Sequence, residues 1–190
     1  MKNKVVIVGG GMVGAAAAVK LVMQGADVTV LEHQPITPDS VLDSENVDIR
    51  ISAINRFSEA LLDELGAMPL LREGRIAPYQ QLEAYEQPSN RLLFNCADTG
   101  ESHLGHLIEN SLVQASLWRQ FEKWHIRVER VTSQPTEIEH GVEDVVLHYG
   151  DKSYTADLLI AADGGRSQVR QLVNIGTTGW QYQQSCTGIL

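Results

Sequence analysis

The stretch VVIVGGGMVGAAAAVKL, residues 5–21, limits the possible folds of this chain more than any other. It sets Gly9, Gly11 and Gly14 in G-x-G-x-x-G order between a β-branched run and an alanine-rich one. Glycine loses more conformational entropy on folding than other residues, so such a cluster marks a backbone path or an approach that a side chain would block. Before it, Lys4 to Val8 reads as a buried parallel strand, short and without polar alternation. After it, Met12 to Met23 reads as a helix whose small residues, Ala15 to Ala18, allow close packing on a sheet. Gly25 ends that helix. DVTVL at 27–31 is a second strand, with Glu32 just past its end. The whole is a βαβ unit.

Each glycine has a distinct task in such a unit. Gly9 makes the turn out of the strand, Gly11 lets the backbone approach a pyrophosphate, and Gly14 lets the helix pack on the sheet. The first helical N–H groups, at Met12 and Val13, then face the phosphates with the positive end of the helix dipole. A carboxylate about 20 residues on, here Glu32, accepts hydrogen bonds from ribose hydroxyls. An acid there disfavours a ribose 2′-phosphate, which points to FAD or NAD rather than NADP. No lysine follows in G-K-[ST] form, so this is not an NTPase loop. A purely structural glycine turn is the bland alternative, and the strand, helix and acid around it weigh against that.

The net charge of the 190-residue chain is −9 and its basic residues are scattered, which argues against a nucleic-acid partner. Its two cysteines, Cys96 and Cys186, lie far apart and read as reduced thiols of a cytoplasmic protein. No signal peptide is expected, because the glycine turn interrupts the N-terminal apolar run. No stretch reaches the roughly 18 apolar residues of a membrane span.

Farther along, residues 34–47 read as a polar surface loop and 48–54 as extended or irregular chain. Asn55 caps a helix over 56–65, closed by Gly66. Residues 79–96 read as antiparallel strands around a turn at Pro88, Ser89 and Asn90. A long helix is expected over 108–124, with Leu112, Ala115 and Phe121 on one buried face, Leu117 and Trp118 on an adjoining one. A strand at 126–131 and a hairpin over 137–149 follow. YTADLLIAA at 154–162 reads as one strong strand, and 167–173 as a helix.

That last strand leads into DGGRSQVRQL. Asp163-Gly164 makes a turn, Ser167 caps the helix and Arg170 lies on its first turn. By itself this is a common Asp-Gly turn with a serine cap. Beside the first motif it resembles the D-G-x-x-S-x-x-R segment of class A flavoprotein monooxygenases, the para-hydroxybenzoate hydroxylase superfamily. VDIRISAIN, SHLGHLIENSLVQASLW and GWQYQQSC are similar to ubiquinone-biosynthesis hydroxylases, nearest to their demethoxyubiquinol hydroxylase branch. The likeness covers essentially the whole chain.

The resemblance implies an α/β architecture: a Rossmann-like FAD-binding βαβ domain over 1–75 and 100–178, with part of an antiparallel substrate-domain sheet at 76–99 and 179–190. It implies FAD as cofactor, NAD(P)H as co-substrate, and O₂-dependent hydroxylation of a polyprenylated quinol or phenol. Such a substrate implies contact with the membrane surface and with other ubiquinone-biosynthesis proteins. By position, Arg50 lies against the flavin, and Asn110 replaces an arginine used near the FAD phosphates. Gln114, one helical turn on, faces the same way. Asp163, Gly164 and Arg170 border FAD and the nicotinamide. No catalytic acid or base is required. His103 and His106 read as structural, without a metal. The family's third motif, a Gly-Asp segment, is absent. The chain therefore reads as an N-terminal fragment that binds FAD weakly or not at all and does not hydroxylate by itself. Two other readings stay open: a reductase or dehydrogenase sharing only the first motif, and a non-catalytic assembly partner.

Overall fold

The computed structural model describes residues 3–87 and 90–188. In chain order the elements are β1 (Lys4–Val8), α1 (Met12–Met23), β2 (Asp27–Glu32), α2 (Pro38–Leu42), β3 (Ile51–Asn55), α3 (Arg56–Glu64) and α4 (Met68–Glu73). There follow β4 (Ile76–Tyr79), β5 (Gln81–Gln87), β6 (Asn90–Asn95), β7 (Gly105–Glu109) and α5 (Asn110–Trp124). The last are β8 (Arg127–Arg130), β9 (Glu137–His140), β10 (Val145–Tyr149), β11 (Lys152–Ala156), β12 (Leu158–Ala161) and α6 (Gln168–Leu172).

A parallel sheet in the order β12-β1-β2-β8 forms the centre. Successive side chains of a strand point to opposite faces, and β1 shows what each face meets. Val5 and Ile7 pack with Ala15, Ala18 and Val19 of α1 and with Leu112 and Leu117 of α5. Val6 and Val8 pack with Leu147, Tyr149 and Ala156 of the antiparallel sheet β11-β10-β9. Both faces are covered, which is why β1 lacks polar alternation. The alanines of α1 are fully buried at positions 15 and 18 and bring its backbone close to its neighbours.

The βαβ unit, the Asn55 cap, the Gly66 stop and the hairpin strands match the sequence reading. The Asn55 side chain accepts from Ser58 N at 2.8 Å. The buried set expected on the long helix, Leu112, Ala115, Leu117, Trp118 and Phe121, is buried. Of the turn expected at 88–90, Pro88 and Ser89 lie outside the described residues, and Asn90 opens β6.

Three expectations change. The loop read over 34–47 contains α2, started by Pro38 at its first turn, where a missing N–H costs nothing. The long helix begins at Asn110 rather than 108, because Gly105–Glu109 is claimed as a strand by pairing with both β3 and β4. The run 154–162 is two strands in two sheets. Asp157 divides them: its N–H donates to Lys4 O at 2.9 Å, and its carboxylate accepts from Lys4 N at 2.6 Å. That bracket turns β12 onto the edge of the parallel sheet and leaves β11 behind.

Candidate functional site

The glycine turn joins β1 to α1 at the carboxyl ends of the parallel strands. Gly9 has φ +100°, and a Cβ there would lie 2.4 Å from Ala162 O. A Cβ on Gly14 would lie 1.9 Å from Gly9 O, so α1 meets its own turn at backbone distance. Nothing among the described residues stands within 4 Å of a Cβ built on Gly11, which leaves that side of the turn open. Gly9 N donates to Leu31 O and Gly10 N to Glu32 Oε2, at 2.8 and 2.5 Å. The first closed helical bond is Ala15 N to Gly11 O. Ahead of it, the N–H groups of Met12, Val13 and Gly14 have no intrahelical acceptor. Glu32 also accepts from Gln34 N at 2.8 Å through its other oxygen. A carboxylate has about four acceptor positions, so two remain for ribose-type hydroxyls.

Next to the turn, β12 delivers Asp163 and Gly164. Asp163 Oδ2 accepts from Gln168 N at 2.7 Å and Val169 N at 3.2 Å, capping α6. Its Oδ1 is buried and has no hydrogen-bond partner among the described residues. Ser167 Oγ accepts from Arg170 N at 2.9 Å, as the cap reading requires. A cleft of about 560 Å³ runs between the two motifs, lined by Gly9, Gly11, Glu32, Asp163 and Gly164 among others. That volume is within the range of small-molecule and cofactor sites. Tyr149 forms part of its wall, and burial, with Asp163, Tyr154 and Glu32 nearby, pushes its hydroxyl up to about pKa 12.

The residue set suits a dinucleotide: free helical N–H groups beside an open glycine, a carboxylate with spare acceptor capacity, and a second acidic residue, Asp163, on the wall of the same cleft. Gly9, Gly11, Glu32, Asp163 and Gly164 converge there, and Met12, Val13 and Gly14 follow Gly11 as the first turn of α1. The other sequence-selected residues lie elsewhere. Arg170 Nη2 braces the second motif through Gly165 O at 3.0 Å. Arg50 is exposed, and its carbonyl accepts from Asn110 N at 2.8 Å. Asn110 Oδ1 accepts from Ser52 Oγ at 2.6 Å. Gln114 does reach the turn, donating to Gly10 O at 2.9 Å. The sequence reading left Trp118 in the core; it is buried, yet its indole N–H donates to the same carbonyl. Tyr149 and Arg166 also line the cleft, and only the three-dimensional return of the chain brings them there.

His103 and His106 stand apart from the cleft, around Glu59. His103 Nε2 lies 3.1 Å and His106 Nδ1 3.5 Å from Glu59 Oε2. These ligand atoms are close enough to hold a metal ion. Arg56 Nη1 already sits on that oxygen at 2.5 Å, so a guanidinium supplies the counter-charge. Burial opposes ionisation of Glu59, but the hydrogen bonds from Arg56 and His103 prevail and hold it below the usual carboxylate range. Burial lowers the His106 pKa.

A four-strand parallel sheet, a glycine turn and an acid closing the second strand define a dinucleotide-binding βαβ protein. Residues 2–190 match the model of the FAD binding domain family, and the chain belongs to that family. It is 38% identical over 186 residues to 3-demethoxyubiquinol 3-hydroxylase of Escherichia coli (strain K12), covering 97% of this chain and 47% of that protein. It is 30% identical over 197 residues to human ubiquinone biosynthesis monooxygenase COQ6, mitochondrial, covering 95% of this chain and 41% of that one. The chain thus spans less than half the length of these relatives. Among solved structures, a flavoprotein/dehydrogenase from Cytophaga hutchinsonii superposes with a TM-score of 0.70 at 20% identity, over 95% of this chain and 44% of its own. The p-nitrophenol 4-monooxygenase PnpA from Pseudomonas putida gives 0.66 at 22%, over 91% and 43%. At such identities these two speak for the fold alone.

Proposed function

We propose that the protein to which this chain belongs is an FAD-dependent hydroxylase. It would use O₂ and NAD(P)H on a polyprenylated quinol or phenol in ubiquinone biosynthesis. The observation that carries the cofactor reading is the cleft, which Gly9 and Gly11 of the turn, Glu32, and Asp163 and Gly164 of the second motif line together. The substrate class comes from the hydroxylase relatives. Bound FAD would supply the redox chemistry with O₂. The chain's own part is to bind and orient it: Gly11, Met12, Val13 and Gly14 offer N–H groups to phosphates, Glu32 accepts from ribose, and Asp163 accepts from the remaining hydroxyls. Arg50 and Asn110, at the amino end of α5, are proposed flavin-side contacts. In this reading 1–75 and 100–178 form the FAD-binding unit, and 76–99 with 179–190 belong to the substrate-facing part, joined to the first through the pairing of β4 with β7. By itself the chain would bind FAD weakly.

Among the described residues no helix is long and apolar enough to cross a membrane. We place the protein at the membrane surface through its lipid-tailed substrate, near the other enzymes of the route. The test is the full-length protein with FAD, NAD(P)H, a short-chain quinol and isotopically labelled O₂. Label in the ring hydroxyl is the expected result. NAD(P)H oxidation without oxygen incorporation would instead establish a reductase.

A further inference from the structure

The glycine turn is gripped from behind at the one glycine that its motif leaves unspecified. Gly10 N donates to Glu32 Oε2 at 2.5 Å. Gly10 O accepts from Trp118 Nε1 at 2.7 Å and from Gln114 Nε2 at 2.9 Å. Gln114 and Trp118 are four apart on α5, so both side chains leave the same helix face and reach one oxygen. Trp118 is buried, and a Cβ on Gly10 would lie 2.7 Å from its Cζ2. Position 10 therefore takes a glycine because an indole lies against it.

This grip has a consequence on the other side of the chain. The peptide joining Gly10 to Gly11 is planar and trans, so its C=O and N–H point in opposite directions. With the carbonyl fixed toward α5, the Gly11 N–H is aimed away from α5. The unbonded N–H groups of Met12, Val13 and Gly14 follow directly from it. We propose that Trp118 and Gln114 are positioning residues for the dinucleotide. Their hydrogen bonds to Gly10 O fix the peptide plane that presents these donors to a pyrophosphate. The inference rests on the FAD reading above. A buried indole N–H needs an acceptor in any case; what packing leaves unexplained is the second donor, from half-buried Gln114, on the same carbonyl.

Trp118→Phe keeps an aromatic, though smaller, side chain and removes the donor, and Gln114→Met keeps length and removes the donor. Each variant and the parent chain would be ¹⁵N-labelled and titrated with FAD and with ADP. Amide hydrogen exchange would be followed in the ligand-free state, together with the thermal midpoint. Each variant should weaken binding roughly five- to tenfold, tenfold corresponding to about 1.4 kcal/mol. Exchange should quicken at the Gly10 and Ala15 amides and stay unchanged in β1 and β2. Affinity equal to the parent's, or exchange raised evenly across the sheet, would overturn the proposal and leave Trp118 as core alone. If Trp118→Phe does not fold, Gln114→Met decides. A parent chain that shows no shifts with either nucleotide counts against the FAD reading. Exchange at Gly10 and Ala15 then still judges the grip, and unchanged rates would refute it.

Discussion

Gly14 shows how far one hydrogen atom can determine a site. Its missing Cβ would sit 1.9 Å from Gly9 O, a distance no rotamer change relieves because both partners are backbone. Gly14→Ala should therefore push α1 off the turn. The expected loss is about 1–3 kcal/mol of stability, the range for overpacking, read by denaturant titration. Gly11→Ala, with open space around its Cβ, should leave stability nearly unchanged and impair nucleotide binding only. Asp163 is a different case, since it both caps α6 and lines the cleft. Asp163→Asn keeps an oxygen for the cap. It should cost little stability while weakening FAD binding, whereas Asp163→Ala should also cost about 1 kcal/mol of the cap. Thermal melts alongside nucleotide titration separate the two effects.

At the scale of elements, α5 is the piece on which most depends. It packs against α1, covers the sheet and carries both donors to Gly10. Leu117 is fully buried at its centre, and Leu117→Ala should cost about 2–5 kcal/mol, measured by chemical denaturation. Its amino end is fixed by a buried acid: Glu109 accepts from Arg75 Nε at 2.7 Å and from Asp48 N at 2.6 Å, and Arg75 also donates to Ser44 O. The hydrogen bond from Arg75 holds Glu109 below the usual carboxylate range. The same scale separates what local sequence can reveal from what it cannot. The βαβ unit, the Asn55 and Ser167 caps and the buried face of α5 are stated by spacing and residue type alone. The split at Asp157 is not, because its partner Lys4 is 153 residues away. Nor is the start of α5, since Ile108 and Glu109 suit a helix locally and become strand only through pairing with β3 and β4. The candidate site divides likewise. Gly9, Gly11, Glu32 and Asp163 carry recognisable motifs, whereas the indole of Trp118 gave no sign that it reaches a carbonyl 108 positions back.

For the molecule as a whole, two buried carboxylates and the partly buried His106 favour alkaline over acidic conditions. His106 is lowered by burial from its reference value of 6.5, with the Glu59 carboxylate opposing and His103 and Arg56 beside it. Glu59 and Glu109 are both below their reference value of 4.5. In each case the unfolded chain takes up the proton first. The stabilisation is complete above the unfolded pKa and is lost as pH falls through the folded one. The thermal midpoint should therefore begin to drop as pH falls below about 6.5, and drop further below about 4.5. His106→Gln should flatten the first part of that curve and leave the second. A midpoint that rises on acidification between pH 7 and 5 would contradict the assignment.

If the glycine turn, Glu32 and the Asp163 segment form one cofactor cleft, FAD must reach all three. A ¹⁵N-correlation titration of the chain with FAD decides this, because it registers weak binding. Saturable shifts are expected at Gly9 to Gly14, Glu32, Asp163 and Gly164, all sharing one dissociation constant. Absence of shifts up to about millimolar FAD, where binding free energy is only about −4 kcal/mol, would contradict a shared cleft. So would shifts confined to residues outside the cleft.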